Sequence, residues 1–396
     1  MMFLSSIIEG IQKSGTSYYI EKPMKTICVC TTVHPAWDGR IYEKEISTLL
    51  KKYKVIYVAP FDETPSNNPP SNFIYFPLKN PRNRLIRFFR LIFVFKQLFV
   101  LRKQVISYHI HDPELTIVLL LLKIFTSKYC IYDVHENYPA AIRHRFWIPK
   151  PLRKIFASLF TLIEKVSMPF FDANIYASQE IGEVYHGRES IVLNNFPSQK
   201  HYQSIPDFSQ KKPFILLAGG LTKVRGIVQT VEAFILAELP QEYQLIILGW
   251  FESEMLQQSV LDKLKSSSKK NNFQYHPWVP YTDSIKFMQE SSIGIIPYLD
   301  FENHRHGFPN KIYEFMATAT PFIYNKLPNY LRVIGHYQIG FAVDSSNPDE
   351  IAHAMEKLAH NSNLRKEMGL LGRELFINQF NWEKQEHALF SLYGKI

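Results

Sequence analysis

The segment His304–Ala319 reads HRHGFPNKIYEFMATA, a polar loop followed by a helix. Pro309 suits the first position of that helix, because the N–H that proline lacks would have no intrahelical acceptor there. The amides of Phe308, Asn310 and Lys311 are then left unpaired by the helix itself. A helix start with a lysine beside it favours an anion such as a phosphate.

The same helix carries Glu314 on its second turn. A carboxylate at this position can accept the hydroxyl protons of a ribose. The segment therefore offers both halves of a nucleotide-binding site, one for phosphate and one for sugar. A capped surface helix with a solvated glutamate explains the segment equally well when it is taken alone.

The length and composition favour a globular protein of two domains. The chain has 396 residues, 46% of them apolar and 20% charged, which is long for one core and too apolar for a disordered chain. The formal net charge of +9 indicates an anionic partner: nucleic acid, a nucleotide-like ligand or an acidic membrane surface. Three cysteines are too few for a disulfide framework, so we expect buried thiols.

The first 23 residues are predicted to be a tail outside the fold, because MKTICVC from Met24 begins a fresh strand pattern. The apolar run at residues 1–8 lacks the basic region and cleavage site of a signal peptide. No segment reaches about 18 uninterrupted apolar residues, so no membrane-spanning helix is expected. We therefore expect a cytoplasmic protein.

Residues 24–195 alternate buried strands with helices, which predicts a Rossmann-like α/β domain with a parallel sheet. Ligands of such sheets bind beyond the carboxyl ends of the strands. His34, Asp38, Gly39 and Arg40 follow the first strand and fall at that edge.

Two later strands also deliver histidine and acid at their ends, His111–Asp112 and His135–Glu136. Metal binding is one interpretation of this set. No pair has the helical spacing of a His-Glu-x-x-His site, so polar contacts to a sugar fit better and no metal is expected.

Residues 82–103 are predicted to form a basic, aromatic, amphipathic helix. The apolar positions Phe88, Ile92, Phe95 and Phe99 recur at helical spacing. The basic residues are Arg82, Arg84, Arg87, Arg90, Lys96, Arg102 and Lys103, with no acid among them. This pattern favours an anionic bilayer surface, which would put the protein on the inner face of the plasma membrane. A core-packed helix with a solvated basic edge is the alternative.

Residues 196–213 are polar, contain several prolines and are predicted to be a linker. The strand–helix alternation then restarts, which predicts a second Rossmann-like domain at 214–379 and a last helix within 380–396. The turn Gly219–Gly226 begins with Gly219 and Gly220 and carries Lys223 and Arg225. Arg225 can meet a diphosphate with two donors at once. With Lys311 at the same sheet edge, two cations are expected to face one diphosphate.

At this point the chain resembles the GT-B glycosyltransferases, specifically the retaining family-4 type, over residues 24–396. The resemblance is carried by four segments: HPAWDGRIYEKE (34–45), YDVHEN (132–137), LLAGGLTKVRGIVQTVEAF (216–234) and FPNKIYEFMATATPFI (308–323). It implies two facing Rossmann-like domains, with the donor held mainly by the second. It also implies that the final helix crosses back onto the first domain.

The resemblance assigns roles on the donor side. Arg225 matches the family's basic residue on the diphosphate, with Lys223 as a nearby reserve. Glu314 matches the second glutamate of a paired motif, which holds the ribose. The loop Gly307, Phe308 and Pro309 matches the segment whose amides meet the phosphate.

Further roles concern the sugar, the acceptor and the base. His135 matches a histidine near the reacting face of the donor sugar, and Gly39 matches a glycine turn near phosphate and acceptor. The loop Trp278–Tyr281, which includes Val279 and Tyr281, matches the segment against which the base rests.

Two positions depart from the family pattern. The first glutamate of the pair, eight positions before Glu314, is His306 here; this alters the contacts to the sugar hydroxyls, and leaves open both the donor sugar and a weakened enzyme. An arginine that often follows the first glycine of the second-domain turn is Gly220 here. Arg225 and Lys311 would then carry more of the phosphate charge.

The resemblance implies a retaining, metal-independent glycosyltransferase without a cofactor. It would move a sugar from a UDP- or GDP-sugar donor to a glycan or polyprenyl-linked acceptor in surface polysaccharide synthesis. Arg225 and Lys311 would stabilise the leaving diphosphate, His135 would orient the sugar, and Glu314 would hold the ribose.

Two alternatives stay open. A sugar-nucleotide 2-epimerase shares two facing Rossmann domains and would need acid–base carboxylates in the cleft, for which Asp112 and Glu136 are the candidates. An inactive partner in a membrane glycan complex would need no chemistry. A nucleic-acid binder is disfavoured, because the basic residues cluster in one aromatic helix and not in a recognised module.

Overall fold

A computed structural model describes residues 24–62, 69–79, 84–144, 148–185, 189–204 and 207–396. The predicted tail at 1–23 and the predicted basic residue Arg82 lie outside these ranges, and so do the side chains of residues 84–88.

The first half of the chain forms a seven-stranded parallel sheet. Its strands are β1 (Thr26–Cys30), β2 (Lys54–Pro60), β3 (Phe73–Leu78), β4 (Ser107–Ile110), β5 (Tyr129–Val134), β6 (Ala173–Tyr176) and β7 (Ser190–Val192). Their order is β3-β2-β1-β4-β5-β6-β7. Strand order reverses beside β1, which opens a crevice at the carboxyl ends of β1 and β4.

In the part of the first half that the structure describes, six helices connect these strands. They are α1, which starts as a π-helix (Ile41–Ile46) and continues as Ser47–Leu49, α2 (Arg84–Val100), α3 (Thr116–Thr126), α4 (Tyr138–His144), α5 (Lys150–Ser167) and α6 (Gln179–Val184).

The second half repeats the design with a six-stranded parallel sheet. Its strands are β8 (Lys212–Ala218), β9 (Gln244–Leu248), β10 (Phe273–His276), β11 (Ser291–Ile296), β12 (Phe322–Asn325) and β13 (Gly340–Val343), in the order β10-β9-β8-β11-β12-β13. The helices are α7 (Ile227–Leu236), α8 (Glu254–Lys265), α9 (Tyr281–Glu290), α10 (Glu302–Arg305), α11 (Asn310–Ala317), α12 (Pro328–Ile334), α13 (Pro348–His360), α14 (Ser362–Asn378) and α15 (Glu383–Tyr393). The predicted architecture of two Rossmann-like α/β units with parallel sheets is confirmed.

Helix α15 packs on the first sheet, although it follows the second in sequence. Its residues Leu389, Leu392 and Tyr393 share a buried cluster with side chains of β1 and β2. Just before the helix, the indole N–H of Trp382 donates to Thr48 Oγ1 at 2.8 Å. The end of the chain thus completes the core of the first half.

Two predictions differ from the structure in local detail. Pro309 is the residue before α11, not its first residue, and its extended ψ of 126° sets the entry of the chain into the helix. The predicted linker holds two short 3₁₀ turns, Gln199–His201 and Phe208–Gln210, and its last two residues already belong to β8.

The predicted apolar stripe of residues 82–103 is divided in the structure. Phe95 and Phe99 pack against the core beside the buried Val94 and Leu98, whereas Ile92 is exposed. Apolar residues that recur every three to four positions can lie on either of two neighbouring faces of a helix. Packing against the sheet determines which of these faces is buried.

None of the helices in the described ranges combines the length and the apolar content needed to cross a membrane.

Candidate active site

A cavity of about 990 Å³ lies between the carboxyl ends of the two sheets. Residues that follow β1, β5, β6 and β7 form one wall, and residues that follow β8 and β11, together with α11, form the other. Ligand sites of open parallel sheets are expected at these ends. We call these the first-sheet wall and the second-sheet wall.

Most of the predicted site residues line this one cavity. They are Gly39, His135, Gly219, Arg225, Tyr281, Gly307, Phe308, Pro309, Asn310, Lys311 and Glu314. Three predicted residues do not line it: Gly220, Val279 and His306. Val279 packs against the apolar core of the second sheet, and the His306 carbonyl accepts from Ser178 Oγ at 3.3 Å.

Arg225 is positioned by a turn that needs glycine at both ends. Gly219 has φ of +126° and Gly226 φ of +75°, both in the region that favours glycine. Between them Thr222 Oγ1 accepts from the Arg225 amide at 3.2 Å. The guanidinium carbon lies 5.3 Å from the centre of the Tyr298 ring. Within the described residues Arg225 has no carboxylate partner, so its donors remain available to an anion.

Lys311 and Glu314 were predicted to bind different parts of a ligand, but in the structure they bind each other. Lys311 Nζ lies 2.5 Å from Glu314 Oε2. The spacing of three residues places both side chains on one face of α11, which explains the pair. Tyr281 donates its hydroxyl to Glu314 Oε1 at 3.2 Å. The buried carboxylate is thus held in place from two sides.

The start of α11 faces the cavity with free amides. In the described part of the chain the backbone N–H groups of Asn310 and Lys311 have no acceptor, and the first intrahelical bond runs from Ile312 to the Pro309 carbonyl at 3.1 Å. Phe308 stacks on Tyr313, with 5.0 Å between the ring centres, and this contact fixes the loop before the helix. The predicted helix start is therefore open to an anion.

The first-sheet wall contains a histidine–aspartate pair. His34 Nδ1 lies 2.9 Å from Asp112 Oδ1. Asp112 also accepts from the Thr31 hydroxyl at 2.8 Å and from the Thr32 amide. Burial alone would raise the pKa of Asp112, but these hydrogen bonds and the nearby imidazole lower it to about 2. The same carboxylate raises the pKa of His34 despite burial.

Arg40 lines the cavity at the predicted ligand edge, but its side chain is buried and bonded to the protein. Its Nε and Nη2 donate to the two oxygens of Asp133 at 3.0 and 2.9 Å, and Nη1 donates to the Leu193 carbonyl at 2.7 Å. Asp133 Oδ2 also lies 3.0 Å from His135 Nε2. Arg40 therefore fixes the wall from behind, and Asp133 orients the predicted sugar contact His135.

The structure adds cavity residues that sequence reasoning did not select. Lys44 lines the cavity, and its Nζ donates to Asn195 Oδ1 at 2.5 Å. Burial and repulsion from Arg40 lower the pKa of Lys44 to about 7. Tyr298 lies just beyond β11, a position that the rule for carboxyl ends of strands could have identified.

The carboxylates required by the epimerase alternative are not brought together. Glu136 lines the cavity, but Asp112 does not and is spent on His34 and the two threonines. Of the two acids named for this alternative, only Glu136 thus lines the cavity.

The two sheets facing a cleft define a GT-B glycosyltransferase fold. Sucrose-phosphate synthase from Thermosynechococcus elongatus superposes with a TM-score of 0.72 at 14% identity, over 94% of this chain and 98% of that one. HepE from Anabaena, solved in complex with UDP, superposes with a TM-score of 0.70 at 10% identity, over 94% and 100%. Such low identities establish the fold alone.

Sequence comparison adds a family for the second half. Residues 198–374 match the family described as Glycosyl transferases group 1.

Two curated glycosyltransferases are distant relatives. The capsular polysaccharide biosynthesis glycosyltransferase CapM from Staphylococcus aureus is 24% identical over 49% of this chain and 49% of its own length. An uncharacterized glycosyltransferase from Methanocaldococcus jannaschii is 22% identical over 61% and 59%. The chain thus spans about half to three-fifths of the length of these relatives.

Proposed function

We propose that this protein transfers a sugar from a nucleotide-diphosphate donor to a glycan or lipid-linked acceptor, with retention of configuration and without a metal. The main supporting observation is that Arg225, which has no carboxylate partner among the described residues, faces the same cavity as the open amides of α11 and the buried carboxylate Glu314. The complex of HepE with UDP supports a uridine donor. The relationship to CapM supports an acceptor from surface polysaccharide synthesis.

Arg225 and the start of α11 would bind the diphosphate. As the bond to the sugar breaks, negative charge grows on the leaving oxygen, and preorganised donors at that position lower the barrier. The free amides of Asn310 and Lys311 and the positive end of the helix add to the arginine. Protein groups alone can therefore meet the charge of the leaving group.

Glu314 would hold the ribose. Its carboxylate is acceptor-only, so two ribose hydroxyls can replace Tyr281 as donors. Lys311 then has two partners in reach, the carboxylate and the phosphate. We infer that nucleotide binding loosens the Lys311–Glu314 pair and turns the ammonium group toward the diphosphate.

His135 would orient the transferred sugar. Asp133 lies 3.0 Å from His135 Nε2 and fixes the ring, and Nδ1 has no partner among the described residues. This nitrogen is free to bond a sugar hydroxyl. His34, whose ring centre is 4.8 Å from that of His135, would contact the acceptor on the same wall.

A variant of the second-domain turn tests the proposal. Arg225→Ala is expected to lower turnover with the true donor by about 10²–10³-fold, the usual cost of one preorganised donor to a developing oxyanion. Lys265→Ala is the control, because Lys265 is an exposed lysine at the end of α8 that does not line the cavity. A thermal-shift screen against UDP, GDP and their common sugars identifies the donor first. Equal turnover of the Arg225→Ala variant and the parent would end this assignment.

We also propose that the first half docks on an anionic membrane, through a platform formed by α2, α3 and α5. Large apolar side chains of these helices are exposed: Phe89, Ile92, Phe93, Val100, Ile117, Ile124, Phe125, Leu152, Ile155, Phe156, Leu159, Leu162 and Val166. An apolar surface of this extent indicates an interaction site.

The charges of the platform favour a bilayer over a second copy of the chain. The described parts of the three helices contain one acid, Glu164, which is buried. Lys96, Lys154 and Lys165 remain at the surface or its edge. Basic residues around an apolar face are attracted to anionic headgroups, whereas two such surfaces would repel each other.

Vesicle flotation tests the platform. The double variant Leu159→Gln, Leu162→Gln is expected to lose most of its binding to vesicles with phosphatidylglycerol. Leu370→Gln is the matched control, since Leu370 is 48% exposed on α14, far along the chain in the second half. Equal flotation of the double variant, or dimerisation lost in that variant, would refute the membrane as the occupant.

A further inference from the structure

Behind the first-sheet wall, four buried side chains converge on one point: Glu45, His109, His111 and Asp133. Each offers a ligand atom within 4.8 Å of the others, and none is more than 1% exposed. Glu45 comes from α1, His109 from β4, and His111 from the residue after β4. The two histidines are two residues apart on an extended chain, so they point to the same side.

Three of these ligand atoms lack a hydrogen-bond partner among the described residues. They are His109 Nε2, His111 Nε2 and Glu45 Oε2. Glu45 Oε2 lies 3.7 Å from His109 Nε2 and 3.9 Å from His111 Nε2, which is too long for a hydrogen bond. Buried polar atoms are rarely left unsatisfied, because they give up hydrogen bonds to water and gain none in return.

The other nitrogen of each imidazole is already bonded. His111 Nδ1 lies 3.2 Å from Asp133 Oδ2, and His109 Nδ1 lies 2.9 Å from the Tyr393 hydroxyl. With the Nδ1 proton donated outward, each Nε2 presents a lone pair to the centre. Histidines that bind metals almost always have such an outer partner, which fixes the tautomer and the ring.

Arg40 lies at the edge of this cluster and balances part of its charge. Its Nε is 3.0 Å from Glu45 Oε1, and its guanidinium bonds both oxygens of Asp133. Asp133 is therefore a supporting group. Glu45 Oε2, on the side of the histidines, is the carboxylate oxygen left for a ligand.

We propose that Glu45, His109 and His111 bind a divalent first-row transition metal such as Zn²⁺. Two imidazoles and a carboxylate suit zinc or a similar ion and are unsuited to Mg²⁺ or Ca²⁺, which take oxygen ligands. Ligand atoms bound to one ion at about 2.0–2.2 Å lie roughly 3.4 Å apart in a tetrahedral shell. The observed 3.7 and 3.9 Å need only a contraction of a few tenths of an ångström.

The ion would be structural. It would join α1 to β4 and, through Tyr393 on His109, hold the last helix against the first sheet. It would lie behind His135 and Arg40, outside the cavity residues. The proposal is thus independent of the reaction at the cleft.

Metal content and spectroscopy test the site in the full chain. Protein produced with added zinc is expected to contain about one ion per chain by elemental analysis. Exchange with Co²⁺ in mild denaturant should give visible d–d absorption without the charge-transfer band of a thiolate, because no cysteine is in the cluster.

Three variants place the ion. Glu45→Gln and His109→Gln should lose the stoichiometric metal, and Tyr393→Phe should bind about 10–100-fold more weakly, the usual effect of removing an outer partner. His353→Gln, at an exposed histidine of α13, is the control and should keep it. If the ligand variants fail to fold, the metal content of the parent protein and the metal affinity of Tyr393→Phe still test the proposal.

Protein without stoichiometric metal after refolding in zinc would overturn the proposal and would indicate that Glu45 holds a proton instead. Unchanged metal in the Glu45 and His109 variants, or a thiolate band in the cobalt protein, would overturn it by locating the ion elsewhere.

Discussion

The first-sheet wall and the second-sheet wall of the cleft stand on sheets that share the order of six strands, yet their charged residues have different partners. On the first, Arg40 and Asp112 are buried and bonded to other parts of the wall. On the second, the Arg225 guanidinium has no carboxylate partner in the described ranges, and the amides of Asn310 and Lys311 have no acceptor there. In a parallel sheet, residues that bind ligands lie at the carboxyl edge. Whether a polar residue there bonds to the protein or faces a ligand depends on the side chains packed around it.

The largest expected effect is on stability, at the first-sheet wall. Arg40→Met leaves Asp133 buried without its main counter-ion, which typically costs 3–5 kcal/mol of unfolding free energy. Urea unfolding measures this loss. The matched control is Arg305→Met, which breaks an exposed, solvent-screened pair with Asp300 and should leave the unfolding free energy nearly unchanged. Similar losses of unfolding free energy in the two variants would contradict a structural role for Arg40 in the first-sheet wall.

On the second-sheet wall the expected effect falls on catalysis. Glu314→Gln removes the charge of the ribose acceptor, and hydrogen bonds to charged groups are worth about 1.5–3 kcal/mol. We expect kcat/KM for the donor to fall roughly 10–100-fold, which steady-state kinetics would measure. Glu290→Gln, at the surface pair with Lys212, is the control. An unchanged donor KM in the Glu314 variant would remove the proposed ribose contact.

Asp112 makes the stability of the first-sheet wall depend on pH. Its pKa in the folded protein is about 2, below the ordinary 3.8, so its stabilisation is complete above pH 4 and is lost as the pH falls through 2. Asp112→Asn should cost about 2 kcal/mol of unfolding free energy at neutral pH. Unfolding in urea at pH 7 and pH 3 should show a smaller difference from the parent at pH 3. A pH-independent difference would contradict this origin.

A substitution at Gly39 tests whether the first-sheet wall leaves space at this glycine for a ligand. A Cβ added at Gly39 meets no atom within 4 Å, so Gly39→Ala should change the unfolding free energy by about 0.5 kcal/mol or less. A methyl group inside a substrate site still costs about tenfold in kcat/KM. Gly249→Ala is the opposite case, since its Cβ would lie 1.8 Å from the Gly219 carbonyl. Full activity of the Gly39 variant would place that glycine away from substrate.

The fold could be predicted because it rests on local patterns. Continuous apolar runs such as FILLA at 214–218 are typical of strands buried on both faces, and their alternation with helices leaves few topologies. The meeting of Arg225 and Lys311 at one cavity was also predictable, since both follow strands of one parallel sheet. The helix within residues 82–103 was predictable because its apolar residues recur at helical spacing.

What could not be predicted depends on partners distant in sequence. Arg40 turns inward because Asp133, 93 residues later, lies behind it. The Lys311–Glu314 pair could be anticipated from the helix spacing, but a predicted ligand was assigned to each instead. The outward face of α5 escaped notice, because only the fold reveals that Ile155 and Leu162 face away from the sheet.

The position of α15 has a consequence for biosynthesis. Trp382 and Leu389 fill the core beside β1 and β2, yet a ribosome makes them only after the entire second sheet. Until these residues are made, the apolar surface beside β1 and β2 in the nascent first half stays uncovered. Intermediates with exposed apolar surface are prone to aggregation. A fusion partner or a premature stop near residue 380 should thus harm the half of the molecule that was synthesised first.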